Sequence, residues 1–212
     1  MPRYELNEGT GHSIEDLCSA IEGYFEALRL AGFDLHDQIL PPQPDKNVAA
    51  LEKKLGAPLP QDLRVFLRRG LRGARGSIEE GGAFASIGFD FIDCKAMEKT
   101  TRMLRKIAEE TIDDEEDPHA ELVRDGVALT YAEPQLLLAG GVHHFSFRNP
   151  PLRVGASFGE FLRDWLASGC FCSHAFDLAW RHVKKHVPLA IPPAKNAWLR
   201  AYGKQFPSTR QK

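Results

Sequence analysis

The segment Gly56-Ala-Pro-Leu-Pro constrains the fold of this chain most, because it breaks a helix-forming stretch at a point that a helix cannot cross. Asp45 is suited to cap the helix before the break, and Gly56 to end it in a left-handed conformation. Apolar residues recur at helical spacing on both sides of the break. They are Val48, Leu51 and Leu55 before it and Leu63, Phe66 and Leu67 after it. The sequence predicts two helices that meet at a structural corner, with Leu59 filling the corner and Pro60 in the first turn of the second helix.

Three further helices are indicated by the same periodicity. One begins at Ser13, which has the spacing of a capping box with Asp16, and it ends at Gly32. Another covers residues 95–109, where apolar side chains return every three or four positions. The last follows Ser157, and its apolar face is broad enough to cover a sheet.

Strand patterns lie between these helices. Residues 83–91 alternate in polarity with the period of a half-buried strand, and residues 126–132 and 135–147 also have strand character. The turn Ala139-Gly140-Gly141 divides the last segment into a hairpin. We predict an α+β fold, with an antiparallel sheet of about four or more strands, helices packed against the sheet, and a helical C-terminal extension.

The pattern of breaks predicts three segments. Prolines 41, 42 and 44 cannot continue a helix, so they indicate a linker after the first helix. Residues 1–44 then form an N-terminal helix with its proline-rich linker, residues 45–168 an α+β domain, and residues 169–212 the helical extension.

Charge is unevenly distributed although the net charge is only −2. Residues 76–141 carry 15 acidic and 6 basic side chains, whereas residues 142–212 carry 3 and 11. Such polarity can steer a charged partner, or the two regions can neutralise each other within the fold. No apolar run approaches the roughly 20 residues that cross a bilayer, and residues 1–13 lack a secretion signal. The four scattered cysteines indicate reduced thiols, and we expect a cytoplasmic protein without a membrane partner.

Five consecutive acidic residues follow the helix predicted at 95–109. They are Asp113, Asp114, Glu115, Glu116 and Asp117. Their charges repel one another and they have nothing to bury, so an exposed loop is expected. The loop can be simply solvated, can hold a divalent cation, or can present an electrostatic surface to a partner. No Asp-x-Asp-x-Asp-Gly ligand loop is present, and we take the five residues as candidate partner-binding residues.

Basic residues cluster at the third helix of the chain and just beyond it. They are Arg64, Arg68, Arg69, Arg72 and Arg75. Guanidinium groups suit phosphate, but no aromatic side chain interleaves with these to stack on bases. The fourfold spacing of residues 64, 68 and 72 is typical of a solvated helix face. We therefore do not expect nucleic-acid binding.

Histidines and cysteines suggest a metal site only weakly. His143 and His144 are adjacent in a predicted strand, so their side chains point to opposite faces and do not readily share one ion. A second group of thiolate and imidazole ligands lies in the C-terminal extension, but its Cys-x-Cys spacing is not that of a zinc knuckle. The group consists of Cys170, Cys172, His174, His182 and His186. We assign no catalytic residue, metal ligand or cofactor.

Two segments resemble the signatures of the SUKH superfamily. The opening signature is a helix, a Gly-x-x-Leu-Pro corner and a Phe-Leu helix that ends at a glycine, as in residues 48–73. The closing signature is a short strand leading into a Ser-Phe-x-x-Phe-Leu helix, as in residues 153–162. Where the family often has Asn-Gly after the Phe-Leu helix, this chain has Arg72-Gly73. The matching positions in the opening signature are Leu51, Glu52, Gly56, Leu59, Pro60, Leu63, Phe66, Leu67 and Gly73.

The superfamily comprises fungal cell-wall assembly regulators and bacterial immunity proteins that oppose secreted toxins. The resemblance implies an α+β protein-binding domain without catalytic residues, which neutralises a toxin by binding it. Its signature positions are structural, so no binding residue can be transferred from them. Two alternatives stay open: an interaction or regulatory scaffold of the same fold, and a metal-dependent enzyme that uses the His and Cys residues.

Overall fold

The structure is a computed structural model that describes residues 12–80, 83–111, 118–131, 135–146 and 149–170, together with Val183 and Val187. Within these residues the chain forms six helices and seven strands. The helices are α1 (Ile14–Leu30), α2 (Asp45–Leu55), α3 (Gln61–Arg69), α4 (Cys94–Thr111), α5 (Pro118–Asp125) and α6 (Phe158–Ala167). The strands are β1 (Leu35–Leu40), β2 (Leu71–Glu80), β3 (Ala83–Ile87), β4 (Val127–Ala128), β5 (Gln135–Leu138), β6 (Val142–Ser146) and β7 (Asn149–Gly155). The predicted α+β class is confirmed.

The strands form two antiparallel sheets, whereas the sequence predicted one. One sheet has the order β1-β2-β3, and the other has the order β4-β5-β6-β7. The four-stranded sheet is a meander, because each strand pairs with its neighbour along the chain. The predicted turn joins β5 to β6, and there the Ala139 N–H donates to the carbonyl of Gly141 at 2.8 Å.

The chain forms two compact units, each of which is discontinuous in sequence. The first unit consists of Met1–Ile39, Leu71–Phe89 and Gly159–Lys212, and the second of Leu40–Gly70 and Asp90–Phe158. The predicted division into residues 1–44, 45–168 and 169–212 stays a prediction. The predicted helices of the C-terminal extension lie outside the described residues, apart from Val183 and Val187, whose backbones share a hydrogen bond of 2.8 Å.

The core of the first unit is built on α1 and the end of α6. The predicted capping box of α1 is present, with Ser13 and Asp16 bonded reciprocally through side chain and backbone. Trp165 of α6 is 1% exposed, and its ring lies 6.2 Å from that of Phe25 and 5.3 Å from that of Phe89. These aromatic contacts bury the apolar stripes that the sequence predicted for both helices.

Two strands of the first unit were not predicted. Strand β1 lies within the stretch that we interpreted as a linker, and β2 lies where the cationic exit of α3 was expected. The predicted strand over residues 83–91 also ends early, at Ile87. The next residue, Gly88, has φ +86°, and a Cβ there would be 1.8 Å from the carbonyl oxygen of Ala74. The chain therefore turns out of the sheet at a point where only glycine fits.

The second unit contains the helix–corner–helix of α2 and α3. Helix α2 begins one residue earlier than predicted, because Pro44 and not Asp45 is its N-cap, and α3 begins one residue later, because Pro60 is its N-cap and not its first helical residue. Gly56 ends α2 in the left-handed conformation, with φ 74°, as predicted. The ring of Phe66 in α3 lies 4.9 Å from that of Phe158. The predicted core residues of α3, namely Leu63, Phe66 and Leu67, are all completely buried.

Helix α4 supports the four-stranded sheet of the same unit. It extends beyond both ends of the predicted span, from Cys94 to Thr111. The hydroxyl of Thr101 accepts the buried N–H of Ala128 in β4 at 3.0 Å. A second buried hydroxyl, that of Thr130, accepts the N–H of Leu136 at 2.9 Å. Both hydroxyls satisfy backbone N–H groups of the paired strands β4 and β5.

Candidate functional site

The corner between α2 and α3 is held by one carboxylate. Oxygen Oε1 of Glu52 accepts the backbone N–H of Leu59 at 2.8 Å and the Nε–H of Arg64 at 2.7 Å. It also lies 2.6 Å from Nη2 of Arg64, so the guanidinium contacts the carboxylate through two nitrogens. The side chain of Leu59 fills the corner and is 5% exposed. Glu52, which lies on α2, therefore bonds to the turn and to α3. These bonds agree with the structural role that the sequence predicted for the corner.

The arginines that follow the corner do not form one continuous helix face. Arg68 contacts the carboxylate of Asp45 at 2.6 Å, and Arg64 is bonded to Glu52 as described above. Arg72 and Arg75 belong to strand β2 of the first unit. The sequence interpretation of a single solvated helix face is therefore wrong beyond Arg69, where α3 ends.

The acidic stretch at residues 113–117 lies outside the described residues, and its role in partner binding stays a prediction. The helices on either side of it are described: α4 ends at Thr111 and α5 begins at Pro118. Both helices belong to the second unit, and they pack against each other. Residues 109–125 contain nine acidic side chains and a single basic one, Arg124.

A cleft of about 540 Å³ lies in the second unit, between α5 and the strands β6 and β7. Helix α5 lines it with the carboxylates of Glu121 and Asp125 and with the apolar side chain of Leu122. Glu121 and Asp125 are one helical turn apart, so their side chains lie on the same face of α5. The opposite wall contains Pro151 of β7, two polar side chains and the turn between β5 and β6.

The two polar side chains of that wall are His143 and Arg153, which are cross-strand partners in β6 and β7. Both hold the turn between β5 and β6. Arg153 donates from Nη2 to the carbonyl of Gly140 at 2.8 Å, and Nε2 of His143 lies 3.1 Å from the carbonyl oxygen of Ala139. Because a carbonyl oxygen can only accept, Nε2 of His143 carries the proton in this contact.

The environment of His143 favours the neutral form of its imidazole. Burial lowers the pKa of its imidazole below the ordinary value, the hydrogen bond to Ala139 opposes that shift, and the positive charge of Arg153 adds to it. A neutral ring that is protonated at Nε2 has an unprotonated Nδ1, which is a hydrogen-bond acceptor. His144, the next residue, faces the other side of β6, where it pairs in register with Leu136 and Leu152.

The cysteine and histidine group of the C-terminal extension is described only at Cys170. This residue is completely buried, and its carbonyl accepts the N–H of Gly88 at 2.9 Å. Cys172, His174, His182 and His186 lie outside the described residues. Across the part of the chain that is described, no group of three or more His, Cys, Asp or Glu side chains is placed to hold a metal ion. Cys18, Cys94 and Cys170 are all buried thiols.

A second cavity lies in the first unit, between α1 and strands β1 and β2. Four of its charged side chains interact with one another or with the backbone. Arg29 contacts the carboxylates of Glu26 and Asp37, and Glu22 accepts the backbone N–H of Arg72 at 2.8 Å. Because these groups already have partners, we take the cleft of the second unit as the candidate functional site.

Comparisons with protein-family models, curated proteins and solved structures yield no match to this chain. The resemblance to the SUKH superfamily therefore depends only on the signature residues named above. None of the helices in the described part of the chain has the length and apolar character needed to cross a membrane.

Proposed function

We propose that this chain is a non-enzymatic protein-binding domain that neutralises a secreted bacterial toxin by binding it. In this proposal it works in the cytoplasm as an immunity protein, without a cofactor. The resemblance to the SUKH superfamily supplies the class of partner, and the packing of the signature residues supports the mode of action.

The observation that carries the proposal is the use of the signature positions inside the second unit. Leu59, Leu63 and Phe66 are buried, and the carboxylate of Glu52 is bonded to the backbone of the corner and to Arg64. These residues hold helices together, and their side chains face the core instead of a ligand. Signature residues of this kind build the core of the domain, and the residues on its surface determine which partner binds. This division is expected in a family whose members bind different proteins.

Charge indicates which kind of partner fits. Residues 109–125 place nine acidic side chains on a segment that contains one basic residue, and a surface of that sign accelerates association with a cationic protein. A nuclease is cationic where it holds the phosphates of its substrate. In the proposal, the acidic stretch at residues 113–117 takes the place of those phosphates and occludes the active site of the toxin.

The test is neutralisation in living cells. The protein encoded next to the gene for this chain is expressed from an inducible promoter, with and without this chain. The proposal predicts that the neighbouring protein arrests growth when alone and that co-expression restores growth. A variant with residues 113–117 changed to lysine should restore growth poorly, whereas Glu15→Lys, on the first helix, should act like wild type. Growth arrest that this chain does not relieve would count against an immunity role.

Elemental analysis separates the metal-dependent alternative from the proposal. The proposal predicts no stoichiometric transition metal in the purified full-length chain. One zinc ion per chain, lost on replacement of Cys170 and Cys172, would instead favour a metalloprotein.

A further inference from the structure

We propose that the cleft between α5 and strands β6 and β7 binds an arginine side chain of the protein partner, with its guanidinium between the carboxylates of Glu121 and Asp125. The nature of the partner rests on the proposed function, but the chemistry of the cleft can be tested without the partner.

The carboxylates of α5 leave negative charge available to a ligand. Glu121 and Asp125 are four residues apart, and like charges at that spacing repel each other. Asp125 contacts Nε of Arg124 at 3.3 Å, but both side chains are about two-thirds exposed, so the pair is weak. Among the residues that the structure describes, none forms an ion pair with Glu121. A cation placed between the two carboxylates therefore relieves their repulsion.

Hydrogen-bonding capacity in the cleft also favours a donor-rich ligand. The proton of His143 Nε2 is bonded to the Ala139 carbonyl, so the ring offers the acceptor Nδ1, and the two carboxylates are acceptors as well. Among the described residues that line the cleft, Arg153 is the only charged donor, and one of its nitrogens is already bonded to the Gly140 carbonyl. A guanidinium has five N–H donors and no acceptor, which matches this surplus of acceptors.

The apolar part of the lining fits the stem of such a side chain. Leu122 and Pro151 lie on opposite walls, and the volume of about 540 Å³ is within the range of about 300–1,000 Å³ that is typical of ligand clefts. The methylene groups of an arginine can lie against these two residues while the charged end reaches α5. A planar guanidinium can bond two carboxylates at once, whereas the compact ammonium of lysine is less suited to do so.

The experiment is an NMR titration of the full-length chain with three small probes. They are the N-acetyl methylamides of arginine, lysine and aspartate. The arginine probe should shift the signals of Gly140, His143 and the carboxyl carbons of Glu121 and Asp125, and it should saturate in the millimolar range. The lysine probe should bind several-fold more weakly, and the aspartate probe should leave these signals unchanged.

Matched variants show whether the carboxylates are responsible. Glu121→Gln with Asp125→Asn should weaken binding of the arginine probe about three- to ten-fold, which is the contribution expected of two exposed ionic contacts. Glu15→Gln with Asp34→Asn removes the same net charge from exposed positions in the first unit and should leave binding unchanged. Amide spectra of both variants verify that each is folded.

Three results would overturn the inference: no shift at the cleft with the arginine probe, unchanged affinity in the Glu121 and Asp125 variant, or preferential binding of the aspartate probe. Such results would leave growth rescue untouched, so neutralisation without probe binding rejects only the arginine cleft. Probe binding without neutralisation rejects the immunity role and keeps the cleft.

Discussion

Replacing Glu52 by alanine removes the carboxylate that holds the corner between α2 and α3. The substitution leaves the N–H of Leu59 without its acceptor at 2.8 Å and deprives Arg64 of a partner that it contacts through two nitrogens. Glu52 and Arg64 are 21% and 30% exposed, so solvent screens the interaction only in part. A hydrogen bond to a charged group contributes about 1.5–3 kcal/mol, and shared contacts do not add fully. We expect Glu52→Ala to lower the free energy of unfolding by about 2–3 kcal/mol.

Two further substitutions serve as comparisons for the loss of unfolding free energy expected in Glu52→Ala. Glu52→Gln keeps an acceptor for the Leu59 N–H but loses the charge, so about 1 kcal/mol should be lost. Glu110 forms an exposed pair with Lys106 at 3.6 Å, and Glu110→Ala should change the free energy by less than about 0.5 kcal/mol. The free energy of unfolding of the three variants is measured by urea denaturation, followed by circular dichroism. Hydrogen exchange at the Leu59 amide reports on the corner directly, and it should become faster in Glu52→Ala.

If Glu52→Ala were as stable as Glu110→Ala, or if the Leu59 amide kept its protection, the Glu52 carboxylate would not be what holds the corner. A double-mutant cycle with Arg64→Ala adds an independent check. It should give a coupling energy of about 1 kcal/mol or more, because the two side chains are in direct contact. A coupling energy near zero would mean that the pair does not stabilise the corner.

Three further predictions concern other positions. Gly88→Ala should cost more than about 3 kcal/mol in denaturation experiments, because a Cβ there would lie 1.8 Å from a backbone oxygen, while Gly56→Ala, in open space, should cost only about 1–2 kcal/mol; equal costs would contradict the close approach at Gly88. Thr101→Val should cost about 1–3 kcal/mol because it leaves a buried N–H without its acceptor, and Thr101→Ser should restore most of that loss; a harmless valine would show that this hydrogen bond is not needed. His143 has a lowered pKa when folded, so its neutral form contributes stability that is fully present above the unfolded value of 6.5 and is lost as the pH falls below it. The difference in unfolding free energy between wild type and His143→Asn should therefore decrease from pH 7.5 to pH 5, and a constant difference would argue against the shift.

Local patterns in the sequence predicted five of the six helices of the described residues, and they missed α5. The capping box at Ser13, the left-handed end of α2 at Gly56 and the buried face of α3 all depend on residues within a few positions of one another. The N-caps of α2 and α3 were misplaced by one residue, because Pro44 and Pro60 hold the extended conformation that the cap requires without offering a side-chain hydrogen bond.

The three-stranded sheet could not be predicted in the same way. Strand β2 has the sequence LRGARGSIEE, in which glycines and charged residues hide the alternation of a strand. The carbonyl oxygen of Asp34 approaches Gly76 so closely that it would lie 2.8 Å from a Cβ at that position, and glycine is therefore suited to it. Such long-range pairing determines the strand, and no local pattern reveals it.

The candidate cleft was also hidden in the sequence. The sequence analysis considered His143 only as a possible metal ligand. Its partner Arg153 is ten residues away along the chain, and the two are brought together by the register of β6 and β7. Glu121 and Asp125 come from a helix on the other wall, and no sequence pattern associates them with either residue. The acidic stretch, by contrast, is evident from composition alone, and its role in binding stays a prediction.

In the proposed function, the exterior of this chain binds a cationic protein through its acidic segment. The most direct test is to measure the association rate constant between the purified chain and the protein encoded by the neighbouring gene, at low and high salt. We expect rapid formation of a one-to-one complex that slows as salt is added, and an association about tenfold slower or more when residues 113–117 are changed to lysine. Absence of a complex, or association at a rate that neither salt nor the charge reversal alters, would contradict it.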